Sequence, residues 1–123
     1  MSRGLALVID DDAAMRALLA AVLEMIDFES DLIADGIEAL ELKKDYDVIL
    51  VDLNMPVFDG ERLLAYWSLT RDDVLERVIV LTGYSRYAHD RHLPPTFAMI
   101  TKPFEQRRLL ELVEQCAAKR VNR

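Results

Sequence analysis

The stretch LALVIDDDAAMRALLAAV, residues 5–22, decides the fold. Leu5 to Ile9 is wholly apolar, which suits a short strand covered on both faces, as in a parallel sheet. The run stops at Asp10, Asp11 and Asp12. Asp12 can cap a helix, and behind it Met15, Leu18, Leu19 and Val22 recur at helical spacing on one predicted face. A buried strand that feeds a helix through a tight acidic turn is the opening unit of an α/β fold.

Outward from this unit the same grammar repeats. Phe28 to Ile33 reads as a second, weaker strand. Asp35 followed by Glu38 resembles a capping box, opening a helix whose inward side is Ile37, Ala39 and Leu40. Val48 to Val51 is the third buried run and ends on Asp52. Asn54-Met55-Pro56 and Asp59-Gly60 then supply turn chemistry. A helix follows over Glu61 to Leu69, with Leu63, Leu64 and Trp67 inward. Val78 to Leu81 is the fourth buried run, ending at Thr82-Gly83. A short fourth helix over Ser85 to His92 is stopped by Pro94-Pro95. Phe97 to Ile100 forms the fifth strand, ending near Lys102-Pro103. The last helix runs from Glu105 to about Val121, with Leu109, Leu112, Val113 and Cys116 inward. Strand and helix alternate with short connections, which predicts an α/β domain: a parallel sheet with helices on both faces.

Composition sets the bounds. With 123 residues and no Gly/Ser/Pro-rich linker or repeat, residues 1–123 are expected to be one domain. A chain of this size buries roughly two-thirds of its unfolded surface, so it needs no staples. The 52% apolar content excludes general disorder. Cys116 stands alone, which forbids an intramolecular disulfide and fits a reducing compartment. No apolar run reaches the ~20 residues of a membrane span, and the residues before Asp10 make no signal peptide. A cytoplasmic location is the expectation. The net charge of −7 argues against a surface that tracks nucleic acid throughout. Residues 86–123 nevertheless hold eight basic and four acidic side chains, so the acidity is concentrated in the first 85.

Ligands of doubly wound sheets sit beyond the carboxyl ends of the strands. Those ends carry Asp10 and Asp11 (first strand), Asp52 (third), Thr82 (fourth) and Lys102 (fifth). Three carboxylates brought together repel unless a cation joins them. A hard divalent ion with oxygen ligands meets that need, and Mg²⁺ fits best. Add a lysine and a hydroxyl, and the set suits phosphoryl transfer onto an aspartate, where positioning and charge neutralisation do most of the catalysis.

With these residues in place, the chain resembles a two-component response-regulator receiver domain, the fold of the chemotaxis response regulator. The matching text is LVIDDDAAMR (7–16), VILVDLNMPVFDGERLL (48–64), VIVLTG (78–83) and ITKPF (100–104). The resemblance implies a flavodoxin-like, five-stranded sheet of order 2-1-3-4-5. It implies that Asp52 accepts the phosphoryl group and that Asp11, Asp52 and the Asn54 backbone carbonyl bind Mg²⁺, with Asp10 ligating the ion or its water. Lys102 would contact the phosphoryl group, Thr82 would move toward it, and Lys102-Pro103 would be cis. The implied partners are a sensor histidine kinase or phosphotransfer protein, and a downstream protein at the face of helix 4, strand 5 and helix 5. Neither membrane contact nor direct nucleic-acid binding is expected. The chain is expected to be a stand-alone receiver rather than one excised from a longer protein.

The sequence also departs from the family. Receivers often carry Tyr or Phe where Met99 stands. Strand alternation would put Phe97 on the same face as Met99, so that either Phe97 substitutes or the switch is absent. LPPTF (93–97) replaces the usual approach to the last strand. Asn54 and Tyr84 occupy positions that shape water access. Singly, each feature has a plainer reading: helix cap, turn residue, strand end or solvated lysine. The five groups meeting at one sheet edge override those readings. Cys116 stays a small apolar group, Trp67 packing, Asp59-Gly60 turn chemistry, and His89 and His92 too sparse for a zinc site. An aspartate-nucleophile phosphatase of the haloacid dehalogenase type would need a second Asp where Asn54 stands. A pseudo-receiver would lack one of the five groups. A nucleotide-binding module would need a glycine-rich loop.

Overall fold

The computed structural model describes residues 2–55, 59–83 and 93–121. The strands form where the apolar runs predict them: β1 (Gly4–Ile9), β2 (Phe28–Ile33), β3 (Val48–Asp52), β4 (Val78–Thr82) and β5 (Ala98–Thr101). All pair in parallel, in the order β2-β1-β3-β4-β5. The helices are α1 (Ala13–Glu24), α2 (Gly60–Thr70) and α3 (Gln106–Val121), the last being the predicted fifth helix, and a 3-10 turn covers Asp72–Arg77.

The strands alternate their side chains between two cores, as a period of two requires. Ala6, Val8, Leu50, Ile79, Leu81 and Ile100 pack against α1 and α3. Leu7, Ile9, Ile49, Val51, Val78 and Val80 face α2, the 3-10 turn and residues 39–46. β3 and β4 are buried along their whole length. That is why they read as continuous apolar runs rather than alternating ones.

Three expectations are corrected. No helix forms between β2 and β3: residues 34–47 are turns, bends and irregular chain. Half of the capping box exists, with the Glu38 N–H donating to Asp35 Oδ1 at 3.0 Å, and Ala39 is buried. Ile37 is 53% exposed. Second, the inward stripe of α1 is Met15, Leu19, Val22 and Leu23, while Leu18 is half exposed. Third, Phe97 lies just before β5 and joins the α1/α3 core, whereas Met99 packs on the opposite face. Phe97 is therefore not placed to substitute for an aromatic at Met99. The predicted helix over 85–92, with His89, His92 and the neighbouring Tyr84, lies outside the described residues.

Candidate metal and phosphoryl site

Each candidate residue owes its place to a strand end. Asp10 follows β1. Its N–H donates to the Ile33 carbonyl of β2 at 3.1 Å, extending the sheet by one residue. Asp52 is the last residue of β3, paired with Leu81 of β4. Thr82 ends β4, and its carbonyl accepts the Lys102 N–H at 2.7 Å, which pins Lys102 to the same edge. The Lys102-Pro103 peptide is cis.

The carboxylates of Asp10, Asp11 and Asp52 each contribute an oxygen to a group within 4.8 Å of one another. Asp10 and Thr82 are fully buried, Asp52 nearly so, and Asp11 is exposed. Asp10 Oδ1 accepts the Asp12 N–H at 2.9 Å, and Asp52 Oδ1 accepts the Asn54 N–H at 3.0 Å. The other oxygens face the lysine: Lys102 Nζ stands 3.7 Å from Asp10 Oδ2 and 3.6 Å from Asp52 Oδ2. Those are ion-pair separations, too long for hydrogen bonds. Burial pushes the Asp10 carboxyl above the usual carboxylate range. The Asp12 N–H and Lys102 oppose the shift, while repulsion from Asp52 and Asp11 adds to it.

A hard divalent cation suits this donor set. All the donors are carboxylate oxygens, and Asp10 Oδ2 is buried without a hydrogen-bond partner, an arrangement that is costly unless a charge fills the place. Mg²⁺ takes such oxygens and keeps several waters.

A profile of the response regulator receiver domain matches residues 6–114. The chain belongs to the response-regulator receiver family. This receiver is 30% identical over 112 residues to the chemotaxis protein CheY of Halobacterium salinarum, covering 87% of this chain and 91% of that one. It is 29% identical over 119 residues to the sensor kinase CckA of Brucella abortus, 92% of this chain but 12% of the kinase. Among solved structures, the response regulator TrrA of Thermotoga maritima, crystallised in complex with Mg²⁺-BeF, superposes with a TM-score of 0.83. It is 29% identical, with 94% of this chain and 99% of that one covered. The chain is thus a phosphoacceptor signalling module of the two-component type, built on the flavodoxin-like fold. No helix among its described residues is long and apolar enough to cross a membrane.

Asp59, Gly60 and Arg16 matter to the site beyond the five groups at the strand ends. Asp59-Gly60 is more than turn chemistry. Asp59 caps α2 by accepting the Arg62 N–H at 2.9 Å. A Cβ at Gly60 would lie 2.7 Å from Leu53 Cα and 2.8 Å from the Asp52 carbonyl oxygen, so only glycine lets α2 start against the backbone of Asp52 and Leu53. A Cβ at Gly83, by contrast, would meet nothing nearer than Asn54 Nδ2 at 3.9 Å among the described residues. Arg16 donates from Nη1 to the Asp10 carbonyl at 2.8 Å. Its position within LVIDDDAAMR was the available signal.

Proposed function

We propose that this receiver takes a phosphoryl group onto Asp52 from the phosphohistidine of a sensor kinase or phosphotransfer protein. The observation that carries the reading is the meeting of Asp10, Asp11, Asp52 and Lys102 at one edge of the sheet. Asp10, Asp11, Asp52 and the Asn54 backbone carbonyl would hold Mg²⁺, which when bound screens the negative charge of donor and acceptor. The bond from phosphorus to the donor nitrogen breaks as an Asp52 oxygen bonds to phosphorus, and the imidazole leaves with the electron pair. Lys102 supplies a fixed positive charge to the transferred group. Thr82 offers a hydroxyl at the adjoining strand end.

The phosphorylated state then favours a different surface, so that a downstream protein reads the face of the predicted fourth helix, β5 and α3. The net basic charge of residues 86–123 suits an acidic partner surface, while the net charge of −7 disfavours nucleic acid. The receiver promotes its own phosphorylation and dephosphorylation and turns over no external substrate. A cytoplasmic location follows from partnership with a kinase's phosphohistidine. Incubation with acetyl phosphate and Mg²⁺ tests this: about one phosphoryl group per chain is expected, and none with a chelator. Sustained hydrolysis of a generic phosphate ester would instead support the phosphatase reading. Thr82→Ala should still accept phosphate yet lose the backbone spectral change induced by beryllofluoride.

A further inference from the structure

We infer that Arg16 is the positioning residue of the cation pocket: its guanidinium fixes the Asp10 main chain so that Asp10 presents Oδ2 to a hard divalent ion. The inference rests on the metal-binding reading above and concerns a residue that touches neither ion nor phosphoryl group.

The four polar atoms of Asp10 show why. Its N–H is taken by the Ile33 carbonyl at 3.1 Å. Its Oδ1 is taken by the Asp12 N–H at 2.9 Å. Its carbonyl is taken by Arg16 Nη1 at 2.8 Å. Only Oδ2 has no hydrogen bond, and it is buried. Three contacts therefore lock the residue and leave one ligand atom available. Two of the three come from the residues that start α1. Asp12 is its N-cap, accepting the Ala14 N–H at 2.9 Å, and Arg16 lies four residues on, its N–H bonded to the Asp12 carbonyl at 2.9 Å. Helical side chains lean toward the helix N-terminus, so a long side chain at this position reaches back over the turn that Asp10 begins.

Arginine suits the task because its donors are held in a planar fork and its charge is permanent. A carbonyl bonded to a cationic donor cannot turn inward to compete for the ion, so the carboxylate remains the ligand. The opposing effect is repulsion between the guanidinium and the ion. Positioning wins if removal of Arg16 weakens metal binding; repulsion wins if removal strengthens it.

Calorimetric titration of the full chain with MgCl₂ separates these outcomes, using wild type, Arg16→Met and Arg16→Lys. Arg16→Met should raise the Mg²⁺ Kd about tenfold, the lower range for groups that orient a ligand. Arg16→Lys, which keeps the charge and a single donor, should recover part of the loss. In metal-free protein, the Asp12 amide should exchange with solvent faster in Arg16→Met, which reads the clamp without any metal. The labelling deficit of Arg16→Met with acetyl phosphate should narrow as Mg²⁺ is raised. Unchanged or tighter Mg²⁺ binding by Arg16→Met overturns the inference, as does a labelling deficit that persists undiminished at saturating Mg²⁺. If wild type itself takes up no Mg²⁺, the cation-pocket reading falls first. Wild-type binding with an indifferent Arg16→Met removes the Arg16 role alone.

Discussion

Lys102 Nζ stands 3.6 Å from Asp52 Oδ2, close enough to neutralise it and too far to hydrogen-bond it. The same ammonium lies 3.7 Å from Asp10 Oδ2. It is thus shared between two buried carboxylates and committed to neither, which leaves it free to turn to an incoming anion. Lys102→Ala should lower the affinity for beryllofluoride about tenfold or more, the loss of one charge-assisted contact. Titration of the beryllofluoride-induced spectral change checks it; unaltered affinity would remove Lys102 from the phosphoryl site.

Gly60 and Gly83 make a matched pair. At Gly60 a methyl group meets backbone at 2.7–2.8 Å, so Gly60→Ala must move α2 or the Asp52–Leu53 backbone. A cost of about 1–3 kcal/mol is expected from such overpacking, together with slower labelling by acetyl phosphate. At Gly83 the nearest atom among the described residues is 3.9 Å away, and Gly83→Ala should change stability by less than about 1 kcal/mol. Urea unfolding of the two variants reads the difference directly.

These particulars show what the sequence could and could not convey. β1, β3 and β4 were legible because burial on both faces leaves an unbroken apolar run with a polar stop, and the stop is the candidate site residue itself. Asp10, Asp52, Thr82 and Lys102 converge because a parallel sheet puts every strand's carboxyl end on one edge. The segment between β2 and β3 misled because a capping signal is local, whereas its fate is tertiary. Tyr46 bonds Asp31, Asp47 caps the Leu5 N–H, and the Tyr46 carbonyl accepts from Arg77 and Arg120. Those ties hold residues 46 and 47 through contacts with other segments, which a local capping signal does not register. Leu18 misled for a different reason: spacing defines a stripe but leaves its centre uncertain by one residue. The clearance at Gly60 and the reach of Arg16 are distances between segments, which periodicity does not encode.

The Tyr46–Asp31 contact gives a pH signature. The Tyr46 hydroxyl donates to Asp31 Oδ2 at 2.7 Å. Burial, with Asp31 beside it, pushes the phenol from 10.0 up to about 12. The same hydrogen bond, helped by Lys44 against partial burial, holds Asp31 below the usual carboxylate range of 3.8. The phenol's contribution to stability is present below pH 10 and lost as pH rises toward about 12. The carboxylate's is present above its unfolded value and lost as pH falls through the lowered one. Tyr46→Phe should therefore flatten the stability profile at both ends and cost about 1 kcal/mol at pH 7, since Asp31 is partly solvated. Thermal unfolding across pH reads this, and identical profiles for the two proteins would exclude it.

The identity of the phosphorylated residue tests the central claim most directly. After treatment with acetyl phosphate and Mg²⁺, peptide mapping by mass spectrometry should place the phosphoryl group on the peptide carrying Asp52. The modification should vanish in Asp52→Asn and in wild type treated with a chelator. A phosphoryl group mapped to another residue, or full labelling of Asp52→Asn, would contradict the account.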